Sequence, residues 1–267
     1  MQYYKEIMDV MTSVENYFNN KNNILPSEVY NEGWMLRLIL KWFSDKRKSG
    51  YPLSFNKDAV WFSEGMLEAI SVKSKSKYVK PDAIIGNICI GKHGVLNNKN
   101  CAKANAYFDI RPQFNCSQFI AIEAKMNSSL NKNTVNGIKI NQVTKYVIGM
   151  SYVLHQSKVK AGNIDDLAFY LLFPAENKKG EFEKSINRDN IKDNVKLLVE
   201  SSHNDYINEW YENGFIPFMD HLKTGLITWE EILKFICEFD HDAYEILNTF
   251  YTKCKCYKIE GIDLDLL

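Results

Sequence analysis

The chain has no Cys-x-x-Cys pair, no long apolar run and, between Glu123 and Asp165, no carboxylate at all. Each absence excludes something. The six cysteines, Cys89, Cys101, Cys116, Cys237, Cys254 and Cys256, are even in number but too sparse for a secreted disulfide scaffold, and read as buried or free thiols in a reducing compartment. Zinc held by Cys89, His93, Cys101 and Cys116 is the sharper alternative, and the irregular spacing speaks against it. Cys254-Lys255-Cys256 leaves a one-residue gap and is read as incidental. With no stretch resembling a transmembrane span, no membrane partner is expected. The N-terminus, Met1-Gln2-Tyr3-Tyr4-Lys5-Glu6, lacks the basic region and apolar stretch of a signal peptide, so a cytoplasmic location is expected.

Net charge is also missing, since 33 basic residues balance 33 acidic ones, but the balance is not local. Residues 69 to 164 hold 13 Lys and Arg111 against only Asp82, Asp109 and Glu123, an excess of eleven positive charges that the acidic flanks offset. A basic segment around a few carboxylates suits a polyanion such as nucleic acid. The alternative is ordinary solvated charge, because Lys73, Lys75, Lys77 and Lys80 alternate with serines over part of it.

What is present is a chain of 267 residues, 45% apolar, enough to bury a substantial core as one α/β domain with appended helices or as two small domains. Helices are expected over residues 3 to 19 and 27 to 48, separated by Asn19-Asn20-Lys21-Asn22-Asn23, and strands near 60 to 72, 83 to 90, 118 to 125 and 167 to 173. Beyond Pro174, the charged residues 176 to 184 read as a solvated loop or boundary. The C-terminal third reads as helices, one opened by the capping box Thr228-Trp229-Glu230-Glu231 and a second from about 240 to 252. Trp210, Tyr211, Trp229 and Tyr244 could form a base-stacking platform, but aromatics at helical spacing read first as core; His203, His221 and His241 read as structural.

The most informative stretch is Phe119-Ile120-Ala121-Ile122-Glu123-Ala124-Lys125. In a strand, residues two apart share a face, so Glu123 and Lys125 would enter one site together. Two charges ending an apolar strand need a reason. The economical one is a divalent metal for Glu123 and a phosphate or attacking water for Lys125. Three features accompany this strand. Lys80-Pro81-Asp82-Ala83-Ile84-Ile85-Gly86 puts a lone acid ahead of a second apolar run. Asn141-Gln142-Val143-Thr144-Lys145-Tyr146 opens a helix on which Gln142 and Tyr146 share a face. Glu32 precedes Leu36, Leu38, Ile39 and Leu40 on a strongly apolar helix.

Together with Trp61-Phe62-Ser63-Glu64, these segments resemble the PD-(D/E)XK superfamily of restriction endonuclease-like nucleases over roughly residues 28 to 173. The resemblance implies an α/β fold with a central mixed sheet flanked by helices in residues 1 to 175, and a helical C-terminal extension in residues 176 to 267. It implies Mg²⁺ or Mn²⁺ held by Asp82 and Glu123, with Glu32 completing the outer metal shell, Lys125 orienting the attacking water and Gln142 lining the site. Lys145 would reach the scissile strand's phosphate, and Lys80, Lys132 and Lys139 would add to nucleic-acid binding. Asp109 competes with Asp82, because 41 residues separate Asp82 from Glu123 where a plain hairpin would bring two acids closer. Glu28 competes with Glu32 from one turn away. The expected activity is metal-dependent hydrolysis of phosphodiesters, most of all in DNA, by a chain that could act as a homodimer. The alternatives are an inactive nucleic-acid-binding or assembly protein of the same fold, or a hydrolase of a small phosphorylated molecule.

Overall fold

The computed structural model describes residues 29–46, 53–70, 78–92, 108–126, 128–130, 132–135, 138–176 and 179–259. Its centre is strand β7, Gln118–Ala124, every residue of which is buried. Alternation along β7 explains this. Phe119 and Ala121 enter one apolar core, while Ile120, Ile122 and Ala124 enter a second on the opposite face.

A mixed five-stranded sheet carries both cores, in the order β1 (Val60–Ser63), β4 (Ala83–Gly86), β7, β10 (Asp166–Phe173) and β11 (Lys223–Thr228). The β1–β4 and β4–β7 pairs are antiparallel, whereas β7–β10 and β10–β11 are parallel. Between β1 and β4 lie β2 (Leu67–Glu68) and β3 (Tyr78–Val79), which pair with each other. Two further hairpins leave the sheet: β5 (Ile88–Lys92) with β6 (Phe108–Pro112), and β8 (Lys132–Val135) with β9 (Ile138–Asn141).

Helices cover both faces. Helix α1 (Glu32–Lys46) packs on the face that Ile120, Ile122 and Leu172 share. Helix α2 (Gln142–Gln156) follows β9 and packs on the other, its first turn capped by the Asn141 side chain, which accepts from Thr144 N at 2.8 Å. Helices α3 (Lys179–Ile186), α4 (Arg188–Glu200), α5 (Asp205–Trp210) and α6 (Ile216–His221) lie on the α2 face, with a π-helical turn, Tyr211–Phe215, joining the last two. The steps from β7 to β10 and from β10 to β11 move in one direction, so right-handed crossovers put all these helices on one side. Helices α7 (Trp229–Phe239) and α8 (His241–Ile259) return to the α1 face. None of the described helices is long and apolar enough to cross a membrane.

Several expectations change. The strand expected over 60 to 72 breaks at Glu64, whose φ of 56° is left-handed. The one expected over 83 to 90 breaks at Asn87, whose Oδ1 accepts from the amides of Ser117 and Gln118 and so turns the chain out of the ladder. The charged stretch after Pro174 is not all loop: α3 begins at Lys179 and buries Phe182. The C-terminal third is not all helix either, because β11 is the sheet's edge strand. The helix expected over 3 to 19, Glu28, His93 and Cys101 lie outside the described residues.

At Gly86 the β4 and β7 backbones leave no room for a side chain: a Cβ there would stand 2.2 Å from the Gln118 carbonyl oxygen. Gly86→Ala is expected to destabilise the protein by about 3 kcal/mol in urea unfolding, by forcing the two backbones apart. Gly180, with nothing within 4 Å of a Cβ, is the control. Gly180→Ala on helix α3 is expected to be neutral or to stabilise by about 0.5 kcal/mol.

Candidate active site

The register of β4 on β7 pairs Ala83 with Ile122, so Asp82, one residue before β4, falls opposite Glu123. Two acids 41 positions apart become neighbours on the α2 face. Asp82 is held there by its Oδ2, which accepts from Ala124 N at 2.7 Å, and by its carbonyl, which accepts from Glu64 N at 2.9 Å. Glu123 is 1% exposed. Its Oε1 lies 2.7 Å from Lys125 Nζ, and its Oε2 is buried with no hydrogen-bond partner.

Lys125 itself is 7% exposed, and its backbone is fixed on both sides. Its amide donates to the Leu172 carbonyl at 2.8 Å, and its carbonyl accepts from Trp229 Nε1 at 2.9 Å. Trp229 is the first residue of α7, so the C-terminal third holds the end of the central strand. From α2, Gln142 Nε2 donates to the Tyr146 hydroxyl at 2.6 Å, and Tyr146 bears on Glu123. Tyr146 was legible in the sequence only as a residue sharing a face with Gln142; its place beside Glu123 depends on how α2 docks on the sheet.

The electrostatics follow from burial. Glu123 is pushed up from the ordinary 4.5 to about 8, chiefly by burial and next by the Asp82 charge, with Lys125 opposing. Asp82 is also raised by burial, against the pull of the Ala124 amide and Lys125, and the charge of Glu32 raises it further. Glu32 stands in the first turn of α1, where the helix N-terminus favours an acid. Among the described residues no three His, Cys, Asp or Glu side chains gather closely enough to hold an ion alone. Asp82 and Glu123 stand as a pair, with Glu32 acting at longer range.

The remaining expected residues are spread around this pair. Lys80 is exposed and its Nζ lies 2.7 Å from Glu64 Oε2, an acid that Arg37 Nη2 also reaches at 3.2 Å; the hydrogen bond from Lys80 holds the Glu64 carboxyl below its usual range. Lys145 lies on α2 one residue before Tyr146, and partial burial lowers its proton affinity. Lys132 and Lys139 belong to the β8–β9 hairpin, where Lys139 pairs with Thr134. Asp109 pairs with Gly91 on the β5–β6 hairpin, off the five-stranded sheet. Cys116 is buried with its Sγ 3.1 Å from the Gln118 carbonyl, and Cys89 is exposed. Trp210 and Trp229 are both buried in the cores.

The chain matches no family model, and no curated protein or solved structure matches it significantly. The chemistry is therefore read from the geometry. Two adjacent carboxylates, Glu123 buried and Asp82 half-buried, both with raised proton affinity and one with an unpartnered oxygen, fit a hard divalent cation that takes two carboxylates and keeps several waters.

A raised carboxylate sets a direction for stability. The folded chain keeps a proton on Glu123 that the unfolded chain loses above 4.5, so stability falls as pH rises from 4.5 to about 8. In metal-free buffer, the unfolding free energy of wild type relative to Glu123→Gln is expected to drop by on the order of 3 kcal/mol between pH 5 and pH 9. Parallel pH profiles would mean that Glu123 titrates normally.

Proposed function

We propose that the protein is a Mg²⁺- or Mn²⁺-dependent nuclease with a restriction endonuclease-like core, hydrolysing phosphodiester bonds in DNA. The observation that carries this reading is the pair of half-buried Asp82 and buried Glu123, with Lys125, the residue just past the end of β7, bonded to Glu123. Asp82 and Glu123 would hold the cation, with Glu32 adding negative charge from α1. When bound, that ion supplies Lewis-acid activation of the phosphate and the attacking water.

The chain's own groups do the rest. Lys125 Nζ, 2.7 Å from Glu123 Oε1, can donate at once to the carboxylate and to an incoming water or non-bridging phosphate oxygen. Charge that builds on the phosphate as one P–O bond forms and another breaks is then met by a fixed ammonium in a water-poor site. Burial keeps the Tyr146 hydroxyl protonated at working pH, so it positions Glu123 and does not serve as a base. Trp229, holding the Lys125 carbonyl, restricts where the ammonium can swing. The excess of lysine over residues 69 to 164 offsets the repulsion between a polyanion and the acid pair.

Linear duplex, circular duplex and single-stranded DNA, and RNA, incubated with Mg²⁺, Mn²⁺ or a chelator, provide the test. Cutting is expected with either metal and not with chelator. Asp82→Asn, Glu123→Gln and Lys125→Ala are each expected to lower the rate by about 10²-fold or more while circular dichroism stays unchanged. Salt-sensitive binding of DNA without cutting by wild type would favour the binding-protein reading. Cleavage confined to small phosphate esters, with little salt dependence, would favour a small-molecule hydrolase.

A further inference from the structure

Helix α2 begins at the acid pair and ends, about 22 Å away at 1.5 Å per residue, beside a half-enclosed cavity of about 650 Å³. None of the proposed site residues lines it. Its cationic side is built by Lys158 and Lys160, with the rings of His155 and His221 beside them. Among the described residues no carboxylate lines it, and Lys158, Lys160 and His221 have no ion-pair partner; only His155 is paired, with Glu209 Oε2 at 3.3 Å.

The backbone around this cavity is unusual in three places. Lys158 has a φ of 57°, a conformation uncommon outside glycine. One wall is the π-helical turn Tyr211–Phe215, a rare element found often at functional sites. Within it, Gly214 lets the wall close on its neighbours, because a Cβ there would come to 3.0 Å of Trp210 Cδ1 and 3.1 Å of His155 Cβ. The adjoining Trp210 indole N–H is buried without a hydrogen-bond partner. Opposite, the His221 ring lies over Gly162, whose Cβ would stand 3.1 Å from His221 Nε2.

The lining divides by chemistry. Val159, Ala161 and Pro217 offer an apolar bed backed by Leu154 and Phe218, Asn163 and Asn213 offer amides that can both donate and accept, the lysines offer positive charge, and His221 offers ring nitrogens for hydrogen bonds. A volume of this size suits a compact ligand, and a concave, partly apolar bed suits a flat ring better than it suits a duplex backbone. We infer that this cavity binds a nucleoside diphosphate, its base on the apolar bed of Val159, Ala161 and Pro217 and its phosphates on Lys158, Lys160 and His221.

Calorimetry of the full chain with ADP, GDP, CDP and UDP, in chelator so that the acid pair takes no part, tests this; inorganic pyrophosphate, adenosine and a DNA duplex are the comparison probes. At least one diphosphate is expected to bind more tightly than pyrophosphate or adenosine. The double variant Lys158→Asn, Lys160→Ala, which keeps a residue tolerant of the left-handed backbone, is expected to weaken that binding about tenfold or more. Gly162→Val, which fills the cavity without removing charge, is expected to do the same, and Asp82→Asn to leave it unchanged. The inference is overturned if no diphosphate binds up to about 5 mM, if pyrophosphate binds as well as every nucleotide, if both cavity variants bind like wild type, or if only the duplex is affected.

Discussion

The antiparallel pairing of β4 on β7 is the constraint from which the rest of the molecule follows, because that register puts Asp82 opposite Glu123 inside the protein. Two carboxylates side by side out of water are unfavourable by several kcal/mol unless something offsets them. Nearby groups do so in part: the Ala124 amide on Asp82 and the Lys125 ammonium on Glu123. The proton that Glu123 keeps up to about pH 8 relieves more of it, and architecture holds the pair together. Gly86 lets the strands approach, the Asn87 side chain knots the end of β4 to the start of β7, and Gln118 ties that start to Ser54 and Asp166. Strain at a site is kept only when its surroundings over-determine it, and here both ends of β7 are pinned.

The C-terminal third belongs to the same constraint. Strand β11 extends the sheet beyond β10, and its last residue, Thr228, caps α7 through a reciprocal bond with Glu231. That cap fixes the first residue of α7, Trp229, whose indole holds the Lys125 carbonyl. A turn some hundred residues downstream thus sets the backbone of the proposed catalytic lysine. On the opposite face, α2 carries Gln142 and Tyr146 to the acid pair at one end and lines a separate cationic cavity at the other.

How much of this could be read from sequence depended on whether the cause was local. Alternation in Phe119 to Lys125 put Glu123 and Lys125 on one face, and the structure has them in contact at 2.7 Å. The Thr228 to Glu231 capping box and the apolar continuity of Leu167 to Phe173 were equally visible, since each depends on neighbours within a few positions. The breaks at Glu64 and Asn87 were hidden because they arise from partners far along the chain. Strand β11 was hidden because Lys223 to Thr228 is short, contains Gly225 and is mostly half-buried at a sheet edge, so its apolar pattern is faint. Helix α3 was masked by charge, only Phe182 and Ile186 marking its inner face. The meeting of Asp82 with Glu123 and of Tyr146 with both, and the placing of Lys158 and His221 on one cavity, are register and docking events that no local pattern encodes.

Whether the acid pair takes a divalent cation is most directly tested by calorimetric titration of Mn²⁺ at pH 7 in two buffers of different ionisation enthalpy, on wild type and Asp82→Asn. With Glu123 titrating at about 8, most molecules carry a proton that the ion must displace. The account predicts binding with release of nearly one proton per ion, and a large loss of affinity in Asp82→Asn. Absence of binding by folded wild type, or binding without proton release that Asp82→Asn leaves intact, would contradict it.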